Sequence, residues 1–179
     1  MTDQARADDP SFPWTELSDS RSRDLLKVFE VSRQLAATSD LQTLLEIIEK
    51  SSLEVLDCER ASVFLHDRET DELYSRVATG GQQVRFSTQS GIAGMVFRTG
   101  TIINVADAYQ DPRFNPEIDR RTGYKTRNIL TLPMVSPQGR IVGVFQLLNK
   151  RGGPFTVEDA EILSLLAASA SVAVENAQR

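Results

Sequence analysis

The chain has 179 residues, 40% of them apolar and 25% charged, with a net charge of −5 and a single cysteine, Cys58. This length supports one domain with a real core plus flanking helices, and the acidic balance argues against a general nucleic-acid or membrane-surface binder. No apolar run approaches a membrane span, the acidic N-terminus is not a signal peptide, and one thiol rules out an internal disulfide or a two-cysteine metal site, so a cytoplasmic protein is the simplest reading.

Residues 1–19 are polar, contain Pro10 and Pro13, and show no sustained period, so they read as a mobile tail in which Phe12 and Trp14 are either incidental or a docking handle. From Ser20 the spacing predicts a helix whose stripe is Leu25, Val28, Phe29, Ser32 and Leu35. Asp40 reads as the N-cap of a second helix, with Leu41, Leu44, Leu45, Ile48 and Val55 at helical spacing and Glu46 four residues before Lys50 on the solvent side. Ala61–Leu65 reads as a strand closed by His66, and Arg68–Asp71 as a turn. Leu73–Ala78 alternates as a second strand, broken at Thr79-Gly80-Gly81, and Val84–Phe86 as a third.

The stretch Arg85–Thr126 stands out. It is polar, holds Gly91, Gly94, Gly100, Gly123, Pro112 and Pro116, and lies between runs that read as sheet. A long irregular insertion is either functional or disordered, and the apolar residues spread through it (Ile92, Val96, Phe97, Ile103, Phe114) argue for order. It reads as the lid and floor of a small-ligand site. Two helix starts within it point free N–H groups outward. Ser90-Gly91-Ile92-Ala93 has Ser90 as cap and the amides of Ile92 and Ala93 unpaired, and Asn115-Pro116-Glu117 has Asn115 as cap. Either is equally an ordinary capped helix with no ligand.

Asn128–Val135 reads as a strand with Pro133 marking a bulge or an edge, Ser136–Gly139 as a hairpin turn, and Ile141–Leu148 as a strand covered on both faces. Thr156 with Asp159 resembles a capping box, opening a last helix with Ile162, Leu165, Leu166, Ser169 and Val172 on one side. Helices, strands, insertion, strands, helix: this is an α+β arrangement with helices gathered on one face of a sheet.

With these pieces in order, the chain resembles the GAF domains, most closely the cyclic-nucleotide-binding kind of phosphodiesterases and some bacterial adenylyl cyclases. The residues that carry the resemblance are GIAGMVFRTG (Gly91–Gly100), NVADAYQDPRFN (Asn104–Asn115), Asp119 with Thr122-Gly123-Tyr124-Lys125-Thr126, and the spaced Asn149, Lys150, Phe155 and Asp159. The family's fifth signature residue, a Glu, is replaced by Ala160, and Glu161 comes one residue late. The resemblance implies a central antiparallel sheet of about six strands, terminal helices on one face and a ligand lid on the other. It divides the chain into a tail (1–19), a signalling or dimerisation helix (20–38) and a GAF domain (39–179). It also implies a structural role for the four signature residues, with Lys150 pairing Asp159 away from ligand.

Placed on the family's pattern, Ser62, Thr79, Ile92, Ala93, Asn115, Asp119, Thr122 and Thr126 are the residues expected at the nucleotide. The Thr122 and Thr126 hydroxyls, four residues apart and on one face of a helical turn, suit ribose and phosphate oxygens. Asp119 suits a sugar hydroxyl or a base N–H. Ala78 and Thr79 stand where cyclic-GMP binders of this type can carry an aromatic and an acid, so the resemblance leans towards cyclic AMP. With one Cys, one His and no base–nucleophile pair, catalysis is not expected, and neither a cofactor nor a metal is implied. Two readings stand at this point: a sensor that binds a cyclic nucleotide or another small ligand and signals through its terminal helices to an output domain, as a homodimer; and a scaffold of the same fold that binds nothing.

Overall fold

The computed structural model describes residues 14–81 and 83–178. Helix α1 (Trp14–Ala36) starts ahead of the expected Ser20. Residues 14–20 carry too few apolar side chains for a period to show, which is why the sequence reads them as tail; the expectation for residues 1–13 lies outside the described residues. Helix α2 (Leu41–Leu56) begins where expected, the Asp40 carboxylate accepting the Thr43 N–H at 3.0 Å. It turns Leu44, Leu45 and Ile48 inward and ends at Asp57 in the left-handed region.

Strands β1 (Cys58–Asp67), β2 (Glu72–Ala78) and β3 (Arg85–Ser87) form a meander. The central stretch then resolves into structure rather than an irregular loop. It contains helix α3 (Gly91–Thr99), strand β4 (Ile103–Val105), a 3-10 turn (Ala108–Gln110) and helix α4 (Glu117–Thr122). Strand β4 is too short for periodicity to reveal; its pairing with the next strand makes it a strand. Strands β5 (Ile129–Val135) and β6 (Ile141–Lys150) follow, then helix α5 (Val157–Ala177).

The six strands form one antiparallel sheet in the order β3-β2-β1-β6-β5-β4. Strand β4 pairs β5 only over Ile129–Thr131, so Pro133 lies on an uncovered edge, one residue before a register shift at Met134/Val135. A residue without an N–H is tolerated there. At the centre, β1 and β6 approach so closely at Gly143 that a Cβ there would collide with the Phe64 carbonyl oxygen.

Alternation splits the side chains between two layers. Ala61, Val63, Leu65, Leu130, Leu132, Phe145 and Leu147 face α2 and α5 in the larger core. Phe64, Ile129 and Val144 face the lid, against Ile92, Val96 and Val105. Helix α5 is opened by a complete capping box between Thr156 and Asp159. Its inward residues are Leu163, Leu166, Ala167, Ala170 and Val174, whereas Leu165 and Val172, expected inward, are exposed. The small alanines let the helix lie close to its neighbours, and a reading weighted towards bulky residues picks the adjacent face. Helix α1 packs on α2 and α5 through Val28, Val31 and Leu35; Leu25 and Phe29, expected on that stripe, are 48% and 62% exposed.

Candidate functional site

Between the lid face of the sheet and helices α3 and α4 lies a cavity of about 210 Å³. Its floor is Phe64, Ile129, Gln146 and Leu148; its lid includes Ile92, Ala93 and Phe114. The site exists because α3 and α4 are short. They cover an apolar sheet face with a few turns of helix and leave a gap between the sheet and the segment from Phe114 to Thr126.

The first turn of α3 is presented as expected in backbone terms. Gly94 N–H makes the first intrahelical bond, to Ser90 O at 3.1 Å, so the N–H groups of Gly91, Ile92 and Ala93 precede the helical ladder. Ser90 holds the cap position with an extended backbone, but its side chain makes no capping hydrogen bond, contrary to its expected role. The helix is held instead by its close approach to the Thr88 carbonyl, which accepts from Arg98 Nη1 at 2.6 Å.

The α4 end differs more. The N-cap position is Pro116, one residue after the expected Asn115, although Asn115 Oδ1 still accepts the Glu117 N–H at 3.1 Å. The helix closes at Gly123, left-handed at φ 76°, so Thr122 and Thr126 do not share a helical turn. Thr122 Oγ1 donates to Ile118 O at 2.8 Å as part of that last turn. Thr126 lies beyond it, 2% exposed, and donates its hydroxyl to Asp119 Oδ1 at 2.9 Å. Asp119 is itself buried and accepts two more hydrogen bonds on Oδ2, from Thr126 N–H at 2.8 Å and Tyr109 OH at 2.7 Å. The bond to Asp119 raises the Tyr109 phenol above its ordinary pKa. Asp119 thus fastens α4 to the chain on both sides of it. Asn115, Asp119, Thr122 and Thr126 all line the cavity, together with Ile92 and Ala93.

Ser62 and Thr79 do not line it. Ser62 lies on the lid face of β1 between Arg60 and Phe64, paired with Gln146. Thr79 turns to the helix side: its hydroxyl donates to Glu49 Oε1 on α2 at 2.9 Å and accepts the Ala61 N–H at 3.0 Å. The base-reading role expected of Thr79 therefore has no geometry behind it, because the end of β2 is tied to α2.

Four further residues, which the sequence does not place at the ligand, shape the cavity. Gln146 is the one polar side chain in the apolar run Ile141–Leu148, a signal available in the sequence but masked by reading that strand as covered on both faces. Its Nε2 donates to Thr131 Oγ1 at 3.0 Å, giving a polar row Ser62–Gln146–Thr131 across three strands. Arg60 shares the lid face with Ser62, and its guanidinium lies 3.7 Å from the centre of the Tyr124 ring. Arg121 adds a second cation at the rim. Tyr124 OH donates to Glu59 Oε1 at 3.1 Å; burial first, then that bond, pushes the phenol up to about 12. Arg127, bonded to Glu59 at 2.6 Å, holds the Glu59 carboxyl below its ordinary range.

The four signature residues sit at one end of the sheet. Lys150 Nζ donates to Asp159 Oδ2, which also accepts the Thr156 N–H at 2.8 Å. Phe155 is buried, and its carbonyl accepts from Asn104 Nδ2 at 2.9 Å. Asn149, fully buried and at φ 59°, uses its whole carboxamide. Oδ1 accepts from Arg127 N–H at 2.6 Å and Asn128 N–H at 3.3 Å, and Nδ2 donates to Tyr124 OH at 2.8 Å and Lys125 O at 2.9 Å.

Cys58 lies in the helix-side core, its thiol pushed up to about 12 by burial, which leaves it protonated at neutral pH. His66 Nε2 meets Asp71 Oδ1 at 2.9 Å and the ring packs on Phe97, so it is held at the strand end rather than loose in solvent. Among the described residues, no group of three His, Cys, Asp or Glu is placed to hold a metal ion, and no helix is long and apolar enough to cross a membrane.

A family model described as GAF domain matches residues 40–174. The chain is 34% identical over 138 residues to a probable 3',5'-cyclic phosphodiesterase of Caenorhabditis elegans, a match that takes in 69% of this chain and 19% of that relative. The GAF domain of an Acinetobacter phosphoenolpyruvate-protein phosphotransferase superposes with a TM-score of 0.76 at 18% identity, covering 87% of this chain and 95% of the other. The free methionine-R-sulfoxide reductase of Neisseria meningitidis does so at 0.74 and 19%, covering 87% and 92%. At these identities the two structures share the fold alone.

Proposed function

This chain belongs to the GAF family, and from that premise we propose that its lid cavity binds a cyclic nucleotide and that the terminal helices carry the occupancy onward. The observation behind this is the cavity itself. It combines an apolar floor for a flat base, a polar row at Gln146, the free amides of Ile92 and Ala93 and the cations Arg60 and Arg121 for one phosphate, and hydroxyls at Thr122 and Thr126 for the sugar. The resemblance of its phosphodiesterase relative points to the same ligand class. The lean towards cyclic AMP rests on Thr79; with that hydroxyl on Glu49, the polar side chain left for the base is Gln146, and the titration decides between the purines. Output through α1 and α5 fits a homodimer or an adjoining output domain, since Leu25, Leu26 and Phe29 form an exposed apolar row on α1.

One observation favours the second reading, a scaffold that binds nothing. The cavity, about 210 Å³, is below the ~300–1,000 Å³ common for small-molecule sites, and the Asp119 carboxylate is already taken by Tyr109 and Thr126. Nucleotide binding therefore requires α4 and the Tyr124 loop to move outward. Calorimetric titration with cyclic AMP and cyclic GMP tests the proposal. Binding of either, weakened about tenfold or more in Thr122→Ala, supports it; no heat with either at millimolar ligand leaves the scaffold.

A further inference from the structure

We propose that the hydrogen bond between Tyr124 OH and the Asn149 carboxamide is a strap through which the position of the lid sets the order of the first turn of α5. Tyr124 belongs to both sides of this coupling. Its ring lines the cavity under Arg60, and its hydroxyl accepts from Asn149 Nδ2 at 2.8 Å. Asn149 is fully buried and its side chain has no polar atom to spare: all four hydrogen bonds of the carboxamide run to the segment 124–128, which descends from the lid. Its left-handed backbone, at φ 59°, is a conformation that asparagine tolerates better than most non-glycine residues.

The next residue continues the chain of contacts. Lys150 N–H donates to Asn128 Oδ1 at 2.9 Å, and its ammonium holds Asp159 Oδ2. That same carboxylate oxygen caps Thr156 N–H, closing the box that starts α5. A buried network with every member satisfied moves as a unit or breaks at a definite bond. A displacement of Tyr124 outward, which the small cavity demands of a nucleotide-sized ligand, therefore loads Asn149 and reaches α5 within three side chains. The ligand-dependent half of this inference rests on the cyclic-nucleotide reading; the coupling itself does not.

Amide hydrogen exchange on the full chain tests it in two arms. Without ligand, Tyr124→Phe keeps the ring on Arg60 and removes the hydroxyl with both its hydrogen bonds, the one from Asn149 Nδ2 and the one to Glu59 Oε1. Exchange at Thr156, Asp159 and Ala160 is expected to quicken about fivefold, the weight of the one lost bond that faces Asn149, while α2 stays unchanged. Tyr109→Phe, which removes one lid hydrogen bond to Asp119 and leaves the bonds of Asn149 in place, is expected to leave those three amides as they are. Quickening confined to 124–128, or equal quickening in both variants, overturns the strap. With saturating cyclic AMP or cyclic GMP, the wild type is expected to shift exchange at the same three amides and Tyr124→Phe to lose that shift; an unaltered shift in the variant overturns it as well. If neither nucleotide binds, the nucleotide reading fails and the ligand-free arm still judges the strap.

Discussion

The two faces of the sheet are made by the same strands and treat polar atoms in opposite ways. On the helix face, β1, β5 and β6 present Ala61, Val63, Leu65, Leu130, Leu132, Phe145 and Leu147 to α2 and α5. On the lid face the same strands present Phe64, Ile129 and Val144 mixed with Ser62, Thr131 and Gln146. The helix face is closed by long helices that reach across the sheet. The lid face is closed by helices of nine and six residues, the first packed through Ile92, Ala93 and Val96 and the second fastened by the hydrogen bonds of Asp119. Stability accumulates on the first face and adjustability on the second, because apolar packing is non-directional and dense whereas a lid hung on a few hydrogen bonds opens locally.

The sharpest break in this comparison uses neighbours on β6. Leu147→Ala, on the helix face and fully buried, is expected to destabilise by about 2–5 kcal/mol in urea unfolding, with ligand affinity per folded molecule unchanged. Next in size, Gly94→Ala places a Cβ 2.6 Å from the Thr88 carbonyl oxygen. It is expected to lose about 1–3 kcal/mol by shifting α3 and, on the proposed reading, to weaken nucleotide binding, because α3 carries the Ile92 and Ala93 amides. Gln146→Leu, one residue from Leu147 but on the lid face, is expected to cost about 1 kcal/mol and at most about 3, because it takes the Gln146 donor from the buried Thr131 hydroxyl but opens no cavity. Its effect falls on calorimetric affinity, expected to drop tenfold or more. A stability loss at Gln146 as large as at Leu147 would erase the distinction between the faces.

The smallest effect is on pH dependence. Arg127 depresses the folded pKa of Glu59 below its ordinary 4.5, so the stabilisation from this pair is complete above that value and fades as pH falls through the lowered folded pKa. Because both partners are partly solvated, the loss is modest. Acid titration followed by exchange at 124–128 is expected to show the lid segment loosening before the helix-side core, and Glu59→Gln removes that acid step.

Much of the candidate site was legible because its groups are consecutive. Ile92 with Ala93, and Asn115 through Thr126, come from two short segments whose turn chemistry is written locally in Gly91, Pro116 and Gly123. Arg60, Tyr124 and Gln146 were not legible as a group, since they come from β1, the loop after α4 and β6, and only strand register brings them to one cavity. Thr79 shows the limit most plainly. Its position at the end of β2 follows from the alternation of Leu73–Ala78, but the side its hydroxyl serves was decided by Glu49, thirty residues away on α2.

By itself the sequence determined the helix caps at Asp40 and Thr156, the meander, the hairpin at Ser136–Gly139 and the α+β class, because each depends on residues within a few positions of one another. Tertiary structure alone decided which faces of α1 and α5 are buried, that Ile103–Val105 is a strand, and that Asp119 is occupied by Thr126 and Tyr109. Those outcomes turn on which distant partner satisfies an apolar face or a polar atom first, a competition settled only when the chain is packed.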